Sequence, residues 1–510
     1  MITNAEIAKM LSQTADLLEI KGENPFKVRA YRNAAKLIEN SSKDFEKLVR
    51  EGFDLTKLPG IGKDLSTAIK EIVISGKFSK LEKLKKEIPE GLVDMLSIEG
   101  LGPKRIKQIY DAFGITSLDD LKKYALNGEL DKLPGFGEKL IQKILKGVKQ
   151  LKKSGIRFLL ADVEDVAEDL RKYLLNFKGV EIVEIAGSYR RRKETVGDLD
   201  ILVVAEDYMK VSEYFVKYPR VKEIHSAGLT RSTVFLDNDL QIDLRAVSRE
   251  SYGAALHYFT GSKAHNIEIR KIAIEKDMKV NEYGVYKNDK KIAGKSEEEV
   301  YKAVGLCYME PELRENRGEI EACLNHSLPK LVNLKDIKGD LNISVDLIDE
   351  AIKLGYKYVG VNAKIKRDDI KVYKILEVDV NKLEINEDYD FLVGIANENA
   401  TSENILKAIK KVDFLRFFRD IQAKKELNID FETIFEEMKK ENVALEVISK
   451  PNNLISEVLI KSAISKGVKI SIVSGAKTKK ELNFIKYGVN QSRRGWAENK
   501  DVINVSDNPF

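Results

Sequence analysis

The chain has 510 residues, of which 43% are hydrophobic and 33% are charged. One core rarely extends beyond about 250–300 residues, so this length predicts roughly three to four domains. No apolar run approaches the ~20 residues that cross a bilayer, and the acidic, amphipathic N-terminus indicates a folded helix rather than a signal peptide. The formal net charge is only +5, so charge alone does not indicate a nucleic-acid partner.

Cysteine and histidine are scarce. Two cysteines are too few for a disulfide framework, so we expect a reducing, cytoplasmic setting with both thiols buried as small apolar side chains. The histidines lack the spacing of metal ligands, and hydrogen-bonding or surface roles are predicted for them. The residues concerned are Cys307, Cys323, His225, His257, His265 and His326.

Residues 1 to about 150 are predicted to form short helices separated by glycines. Apolar residues recur at three- and four-residue steps in NAEIAKMLSQTADLLEI and in NPFKVRAYRNAAKLIEN. A unit made of an apolar residue, Gly-apolar-Gly and an amphipathic helix then occurs from Leu58, Ile98 and Leu133. Three copies make chance similarity improbable.

These units are typical of helix-hairpin-helix motifs, whose glycines allow a tight turn and whose exposed N–H groups meet DNA phosphates. Such contacts position a protein without reading the DNA sequence. Helix packing is an equal alternative for any single copy. Basic residues beside the first two turns favour DNA, whereas Glu138 beside the third does not. The candidate DNA contacts are Gly60, Gly62, Lys63, Gly100, Gly102, Lys104 and Arg105.

From residue 151 the pattern changes to the short β-rich runs VEIVEIAG, DLDILVVA, STVFLDN and LQIDLRAV. They predict a sheet flanked by helices, followed by a small α+β segment. After a linker at NHSLPKLVNLKD, helices alternate with apolar strands, as in βαβ units. The predicted domains are 1–85, 86–150, 151–246, 247–328 and 335–510.

The stretch GSYRRRKETVGDLDILV contains Asp198 and Asp200 with one residue between them, directly before an apolar run. In a strand, these side chains project to the same side about 7 Å apart. Two carboxylates aimed at one point repel each other, and divalent metal ions relieve the repulsion. Asp243 in LQIDLRAV is a third candidate, because an acid within an apolar strand is costly unless paired or metal-bound. Pairing with Arg245 or another arginine is the alternative.

A small, basic turn precedes the two acids. Gly187 allows the backbone to approach a phosphate, and Ser188 and Arg191 can donate hydrogen bonds to its oxygens. A surface turn with solvated arginines is the alternative, and it would be preferred for Asp-x-Asp alone. Gly-Ser, nine intervening residues and Asp-x-Asp at a strand together favour nucleotidyl transfer.

This signature resembles that of the nucleotidyltransferase superfamily, and residues 1 to about 325 resemble DNA polymerase family X. The resemblance implies a palm with a mixed sheet, a thumb-like domain and a polymerase that uses Mg²⁺ or Mn²⁺, dNTPs and primer-template DNA. It also implies that Asp198 and Asp200 bind both metal ions, and that Asp243 binds the catalytic ion and aids deprotonation of the primer 3′-hydroxyl. The implied nucleotide contacts are Gly187, Ser188, Arg191, Tyr258, Phe259, Gly261, Asn266 and Arg270.

The segment YFTGS, which begins at Tyr258, corresponds to the family's nucleotide-selecting segment. There Tyr258 and Phe259 would line the sugar and disfavour a 2′-hydroxyl, although ordinary core packing is the alternative. Asn266 and Arg270 fall where the family contacts the incoming base or minor groove and the closing helix. NEYGVY implies a place for Glu282 in the closing motion.

The first hairpin unit and NPFKVRAYRNAAK resemble the family's amino-terminal domain, which grips the 5′-phosphate across a gap. Lys27 and Tyr31 match that pocket. Ala68 stands where some members carry the lysine that forms a Schiff base with an abasic sugar, and this chemistry requires a primary amine. We therefore expect gap binding without efficient deoxyribose-phosphate lyase activity, with Lys70 as the nearest alternative amine.

The C-terminal part resembles a PHP domain, which implies a reduced, distorted (β/α) barrel. Active PHP domains bind three metal ions through histidines and acids at strand ends, but no histidine follows His326 here. Two acids, Glu377 and Glu446, cannot form such a site alone, so we predict a catalytically inactive domain retained for structure, DNA contact or a partner. SRRGW is its most basic segment, and it either packs against the barrel or binds something else. The replaced ligand positions are Asn342, Ser344, Ala363, Lys364, Gly475 and Lys477.

The sequence therefore predicts a monomeric prokaryotic DNA polymerase that fills short gaps in base excision repair and joins the nucleoid when bound to DNA. A template-independent nucleotidyltransferase is the alternative in chemistry, and a non-catalytic scaffold for DNA ends is the alternative in class. Intact acids at 198, 200 and 243 argue against a scaffold. The hairpin units and Arg270 favour templated synthesis.

Overall fold

The chain folds into two compact units, Met1–Ile156 and Arg157–Phe510, each with a hydrophobic core of its own. Within the ranges that the structure covers, no helix is both long and apolar enough to cross a membrane. The structure is a computed structural model, and it describes residues 4–39, 41, 45–154, 156–418 and 429–509.

The first unit is helical, as its apolar spacing predicts. One core collects the buried faces of the helices, for example Ile7, Leu11 and Leu18 of the first helix. The helices are α1 (Asn4–Lys21), α2 (Pro25–Glu39), α3 (Phe45–Arg50), α4 (Lys63–Ser75), α5 (Ser79–Glu87), α6 (Glu90–Met95), α7 (Pro103–Phe113), α8 (Leu118–Leu126) and α9 (Glu138–Ser154).

The Gly-apolar-Gly units adopt one turn geometry. In the turns of Ile61, Leu101 and Phe136, the N–H of the central residue donates to the carbonyl three residues earlier, at 2.9–3.1 Å. The first glycine of each unit has a φ of +85° to +91°, which a side chain with a Cβ rarely adopts. Helix α4, α7 or α9 begins directly after each turn.

The second unit opens with a mixed sheet and its helices. The elements are β1 (Phe158–Leu159), α10 (Leu160–Leu175), β2 (Val180–Ile185), α11 (Gly187–Arg190), β3 (Thr195–Val196), β4 (Asp198–Ala205), α12 (Tyr208–Phe215), β5 (Val221–Ala227), β6 (Arg231–Leu236) and β7 (Gln241–Ala246). One sheet has the order β2-β4-β7-β6-β5, in which β4 and β7 are parallel and the other neighbours are antiparallel. Apolar side chains of α10 and α12 pack with it.

A smaller α+β segment follows. Its antiparallel sheet has the order β10-β9-β8, and its core includes Val285, Val300 and Tyr301. The elements are α13 (Tyr252–Thr260), α14 (Lys263–Glu275), β8 (Met278–Asn281), β9 (Gly284–Lys287), β10 (Lys290–Ala293), α15 (Glu297–Ala303) and α16 (Glu319–Leu324).

The rest of the second unit is a parallel barrel. Its elements are β11 (Gly339–Asp340), α17 (Ile348–Lys353), β12 (Tyr358–Val361), β13 (Lys371–Asp379), β14 (Phe391–Ala396), α18 (Ser402–Ile409), β15 (Phe414–Phe417), α19 (Phe431–Lys440), β16 (Ala444–Ile448), α20 (Glu457–Ser465), β17 (Ile470–Val473), α21 (Lys479–Leu482) and α22 (Ile485–Arg494). The strands pair in chain order from β11 to β17. A parallel bridge between Ile343 and Ala476 joins the two ends, so the barrel is nearly closed.

These elements confirm the predicted fold class: a helical hairpin region, a mixed sheet, a small α+β segment and a reduced (β/α) barrel. The expectation for the cysteines was wrong in part. Cys307 is exposed and forms a disulfide with Cys323, whose side chain is buried. The loop after α15 returns to α16 and brings the two Cα atoms to 5.8 Å, which the spacing of 16 residues did not reveal.

Candidate active site

Strand register brings the three predicted aspartates together. Asp198 and Asp200 lie two residues apart on β4, so their side chains leave the same face of the sheet. Strand β7 runs parallel beside β4, and Asp243 is the direct partner of Asp200. The three carboxylates therefore share one face, near the beginning of two adjacent strands.

Asp243 is buried and held by its neighbours. Its carboxylate accepts hydrogen bonds from the Thr233 hydroxyl and from the Gln241 amide, the latter at 2.8 Å. The guanidinium of Arg231 lies 3.5 Å away. The ion-pair alternative considered from the sequence is therefore present in part, with Arg231 rather than Arg245, whose guanidinium lies over the Phe259 ring. These contacts fix the direction in which Asp243 points.

Burial and mutual repulsion determine the charge of the other two acids. Burial, followed by the charges of Asp198 and Asp243, raises the pKa of Asp200 to about 7. Burial and Asp243 also raise the pKa of Asp198, which Arg157 offsets only in part. The charge balance of this face therefore favours a bound cation.

The donor set fits a hard divalent cation, because Mg²⁺ and Mn²⁺ prefer oxygen ligands. In the described part of the chain, the side chains do not form a group of three or more acids, histidines or cysteines close enough to hold a metal ion. This agrees with the geometry of Asp243, whose two oxygens are directed to Thr233 and Gln241. Each of these oxygens has a second lone pair, so Asp243 can keep both hydrogen bonds and still ligate a metal ion shared with Asp198 and Asp200.

The turn after β2 lies against Asp200. Gly187 has a φ of +63°, and a Cβ built there would lie 2.9 Å from Asp200 Oδ2, so glycine is required on both counts. The N–H of Ala186 donates to the carbonyl of Asp200 at 2.7 Å and fastens the turn to β4. Ser188 is half-buried, and within the described residues its hydroxyl has no hydrogen-bond partner. That hydroxyl is thus available to a phosphate.

Arg191 joins this turn to the predicted nucleotide-selecting segment. Its Nε donates to Glu315 at 2.9 Å, and its Nη1 donates to the carbonyl of Thr260. A Cβ at Gly261 would lie 3.3 Å from the same Nη1. Although burial opposes it, Arg191 and Arg494 hold the pKa of Glu315 below its usual value, so this is a charged pair.

Two aromatic side chains end helix α13. The rings of Tyr258 and Phe259 are half-buried, with centroids 5.1 Å apart and planes inclined at 74°. The guanidinium of Arg270 lies 5.6 Å from the Tyr258 ring, and that of Arg245 lies 4.3 Å from the Phe259 ring. Phe259 packs in part against a small apolar cluster that contains Leu202 and Leu256, but both aromatic residues are only half-buried and keep surface for a ligand.

Asn266 carries an unsatisfied acceptor. Its side-chain amide donates to the carbonyl of Tyr258 at 2.7 Å, but its buried Oδ1 has no partner among the described residues. A buried acceptor that stays unpaired is unfavourable, and few occur in folded proteins. The amide oxygen is therefore available to a further hydrogen-bond donor.

A buried ion cluster that sequence reasoning missed supports this region. Glu297 accepts hydrogen bonds from Arg190, at 2.7 and 2.9 Å, and from Arg314. Arg190 also donates to the Thr260 hydroxyl, and the N–H of Ser262 donates to the Arg314 carbonyl. Although burial opposes it, the two guanidiniums lower the pKa of Glu297 to about 2. The RRR run was the only local signal, since Glu297 follows Arg190 by 107 residues.

The remaining predictions for this segment have simple outcomes. Glu282 lies in the turn between β8 and β9, where its side chain makes no hydrogen bond to the described residues. His265 is buried and hydrogen-bonded to Glu319 at 2.7 Å and to Tyr301 at 2.9 Å, which confirms a structural role.

In the first unit, the N-termini of α4 and α7 are open to approach. Lys63 and Lys104 are exposed in their first turns, while Arg105 folds back to donate to the Gly100 carbonyl at 2.7 Å. A Cβ added at the second glycine of either turn, Gly62 or Gly102, would meet no atom within 4 Å, so a phosphate has room beside the N–H groups. The third turn carries an exposed acid instead, at the start of α9.

The predicted 5′-phosphate residues lie beside a lysine that the sequence did not indicate. Lys27 is exposed, whereas Tyr31 is buried and its hydroxyl accepts a hydrogen bond from Lys80 at 3.2 Å. Burial and the charge of Lys27 lower the pKa of Lys80. Ala68 belongs to the apolar core, and Lys70 is exposed on the same helix. Lys80 follows Tyr31 by 49 residues, which explains why local spacing did not reveal it.

An arginine occupies the position between the two acids retained in the barrel. Arg416 on β15 is buried, and its Nε donates to Glu446 on β16. Its Nη2 lies 2.8 Å from Glu377 on β13, which also accepts from the amide of Asn342 at 2.9 Å. The sequence signal, a lone arginine in the apolar run FLRFF, was overlooked. The other replaced positions, Ser344, Ala363, Lys364, Gly475 and Lys477, follow β11, β12 and β17.

Comparison with known proteins covers all of these regions. Family profiles described as helix-hairpin-helix domain, SAM-like helix-hairpin-helix tandem, DNA polymerase beta palm and DNA polymerase beta thumb match residues 2–78, 92–150, 160–257 and 255–315. The palm match contains the three aspartates and the turn at Gly187.

Relatives extend the similarity along the chain. It is 31% identical to the DNA polymerase/3′-5′ exonuclease PolX of Bacillus subtilis (strain 168), over 98% of this chain and 97% of that protein. It is 26% identical to DNA polymerase lambda of Arabidopsis thaliana, over 61% of this chain and 62% of that one. For DNA polymerase lambda of Rattus norvegicus the identity is 25%, over 61% of this chain and 56% of the relative. The chain therefore belongs to DNA polymerase family X, a family of nucleotidyltransferases.

Proposed function

We propose that the protein is a template-directed DNA polymerase that extends a primer 3′-hydroxyl by two-metal nucleotidyl transfer. The observation that carries this proposal is the register of β4 and β7, which sets Asp198, Asp200 and Asp243 on one face beside Gly187. Asp198 and Asp200 would hold both ions and Asp243 one of them. Mg²⁺ or Mn²⁺ in this position supplies Lewis-acid stabilisation of the attacking and leaving oxygens.

The side chains around the acids have separate tasks. Asp243, oriented by Thr233 and Gln241, aids removal of the proton from the primer hydroxyl. The Ser188 hydroxyl and the Arg191 guanidinium donate to the triphosphate. Among the described residues, Arg191 donates two of its five N–H groups, to Glu315 and Thr260, which leaves others for phosphate oxygens.

Nucleotide selection belongs to the segment after the palm. Tyr258 and Phe259 line the sugar, where their bulk disfavours a 2′-hydroxyl. The buried, unpaired Oδ1 of Asn266 supports its role as an acceptor for the incoming nucleotide. Arg270, which lies over the Tyr258 ring, contacts the base, the minor groove or the closing helix.

The helical unit holds the DNA. The open N-termini of α4 and α7, with Lys63 and Lys104, bind backbone phosphates on either side of a short gap. Lys27 and Lys80, beside Tyr31, bind the 5′-phosphate. These tasks are divided among the segments 1–85, 86–150, 151–246, 247–328 and 335–510.

We expect gap filling in repair without deoxyribose-phosphate lyase activity. Ala68 offers no amine and is packed in the core, so a nucleophile cannot be supplied from this position. Borohydride trapping with a 5′-deoxyribose-phosphate substrate measures this. Strong trapping that disappears in Lys70→Ala would identify Lys70 as the amine and contradict the expectation.

The barrel is proposed to be inactive as a nuclease. The guanidinium of Arg416 occupies the space between Glu377 and Glu446 and pairs with both, and the imidazole ligands of a trinuclear site are missing from the sequence. The Bacillus subtilis relative is named for an exonuclease as well as a polymerase. Metal-dependent release of 3′-terminal nucleotides by the Asp198→Ala variant would contradict the proposal, because it could not come from the polymerase site.

Primer extension tests the main proposal. Wild type, Asp198→Ala and the exposed control Asp237→Asn are compared on gapped, nicked and single-stranded DNA with Mg²⁺ or Mn²⁺. We expect extension on templated gaps that is lost in Asp198→Ala and retained in Asp237→Asn. Extension of single strands would indicate the template-independent alternative, and no extension by wild type would leave only the DNA-end scaffold.

A further inference from the structure

The basic segment SRRGW ends helix α22 of the barrel, and one of its arginines reaches the palm. Arg494 is buried, with 2% of its side chain exposed. Its Nη1 donates to the backbone carbonyl of Arg191 at 3.0 Å and to Glu315 Oε1 at 3.2 Å. Its Nη2 donates to Glu457 at 2.7 Å. One guanidinium of the barrel therefore contacts both the backbone of Arg191 and the acid that pairs with its side chain.

Glu315 connects the two arginines through a single atom. Its Oε1 accepts from Arg191 Nε at 2.9 Å and from Arg494 Nη1 at 3.2 Å, and only 12% of the Glu315 side chain is exposed. Water competes little with charged hydrogen bonds that are buried to this extent. A shift of Arg494 therefore displaces the acceptor that holds Arg191.

The barrel also anchors the segment that carries Glu315. Arg493 donates to Glu312 at 2.9 Å, and Lys461 donates to the carbonyl of Arg317 at 2.6 Å. The side chain of Arg317 in turn pairs with Glu457, the second partner of Arg494, at 2.7 Å. Helices α20 and α22 thus hold both sides of Glu315, and Arg494 in addition donates to the backbone carbonyl of Arg191 itself.

We propose that Arg494 is a positioning residue for the incoming nucleoside triphosphate, acting through Glu315 and the Arg191 backbone. The inference rests on the proposed function in one respect, since it takes Arg191 as a ligand of the triphosphate. It gives the barrel a task that requires no metal ligands: it holds the triphosphate-binding arginine in the orientation that the nucleotide needs. A positioned arginine avoids reorganisation when the anion binds.

The full-length protein tests this with three variants. Arg494→Met removes the guanidinium and keeps much of its length, while Arg494→Lys keeps the charge but cannot reach all three acceptors. Arg493→Met is the matched control, because it breaks a contact between the barrel and the same segment without touching Arg191 or Glu315. Steady-state incorporation of one nucleotide gives KM for dNTP and kcat, and a fluorescent dNTP with Mg²⁺ gives its Kd directly.

We expect Arg494→Met to raise KM and Kd for dNTP by roughly tenfold, with kcat changed much less, as loss of ground-state binding requires. Arg494→Lys should fall between it and wild type, and Arg493→Met should stay within about twofold. Unchanged dNTP binding in Arg494→Met, or an equal loss in Arg493→Met, would overturn the inference. If Arg494→Met does not fold, the same comparison of Arg494→Lys with Arg493→Met decides.

These assays also distinguish failure of this inference from failure of the proposed polymerase function. A wild-type protein that binds the fluorescent dNTP but extends no primer contradicts the polymerase assignment alone. In that case the Kd series of the variants still decides whether Arg494 positions the triphosphate site.

Discussion

Replacing Asp200 by asparagine should stabilise the metal-free protein while abolishing catalysis. Burial and the neighbouring acids raise the pKa of Asp200 from 3.8 to about 7. The folded state therefore binds more protons than the unfolded state between these values, and stability falls as the pH rises from about 4 to 7. Each pKa unit corresponds to about 1.4 kcal/mol, which gives an upper limit of about 4 kcal/mol at pH 8. Because the side chain is half-buried, we expect about half of this.

Calorimetry at pH 6 and pH 8 in the presence of a chelator measures the effect. At pH 8 the Tm of Asp200→Asn should exceed that of wild type by roughly 3 °C, and the difference should shrink by about a third at pH 6, below the raised pKa of Asp200. Excess Mg²⁺ should raise the wild-type Tm and have little effect on the variant. A variant that is less stable than wild type at pH 8 without metal would refute the electrostatic reasoning, as would a difference that does not depend on pH.

Further outcomes concern the turn, the buried ion cluster and the hairpins. Gly187→Ala places a Cβ 2.9 Å from Asp200 Oδ2, so kcat/KM for incorporation should fall at least about tenfold while circular dichroism stays unchanged. Glu297→Gln leaves the guanidiniums of Arg190 and Arg314 without their counter-charge, and urea denaturation should show that the free energy of unfolding falls by about 3 kcal/mol. Because the pKa of Glu297 is lowered to about 2, this loss should be constant from pH 6 to 8. Lys63→Ala and Lys104→Ala should each reduce the salt dependence of DNA binding by about one in log–log slope, and an unchanged slope would argue for packing rather than phosphate contact.

Two buried arginines of the barrel have different kinds of partner. Arg416 places its positive charge between Glu377 and Glu446 inside the barrel. Arg494 lies at another place in the barrel, where it contacts the palm. The first arginine serves the fold, and the second, by our proposal, serves nucleotide binding.

Local sequence determined the elements and part of the site. Alternating apolar residues around Asp198 and Asp200 predicted a strand with both acids on one face, because side chains alternate strictly along a strand. The glycines of the hairpins and Gly187 marked the tight turns, because only glycine adopts these backbone angles readily. Such signals depend on residues within a few positions of each other, so they can be recognised in a single sequence before the fold is known.

Tertiary structure decided which polar and charged groups meet. Lys80 at Tyr31, Glu297 at Arg190 and Arg494 at Arg191 are pairs separated by 49, 107 and 303 residues. Local sequence periodicity cannot predict such partners, because the charged side chain pairs with whichever group the folded chain brings beside it. The direction of Asp243 and the placement of Arg416 follow the same reasoning, since both depend on neighbouring strands. The sequence therefore predicted that the three aspartates meet, whereas packing selected the groups that orient them.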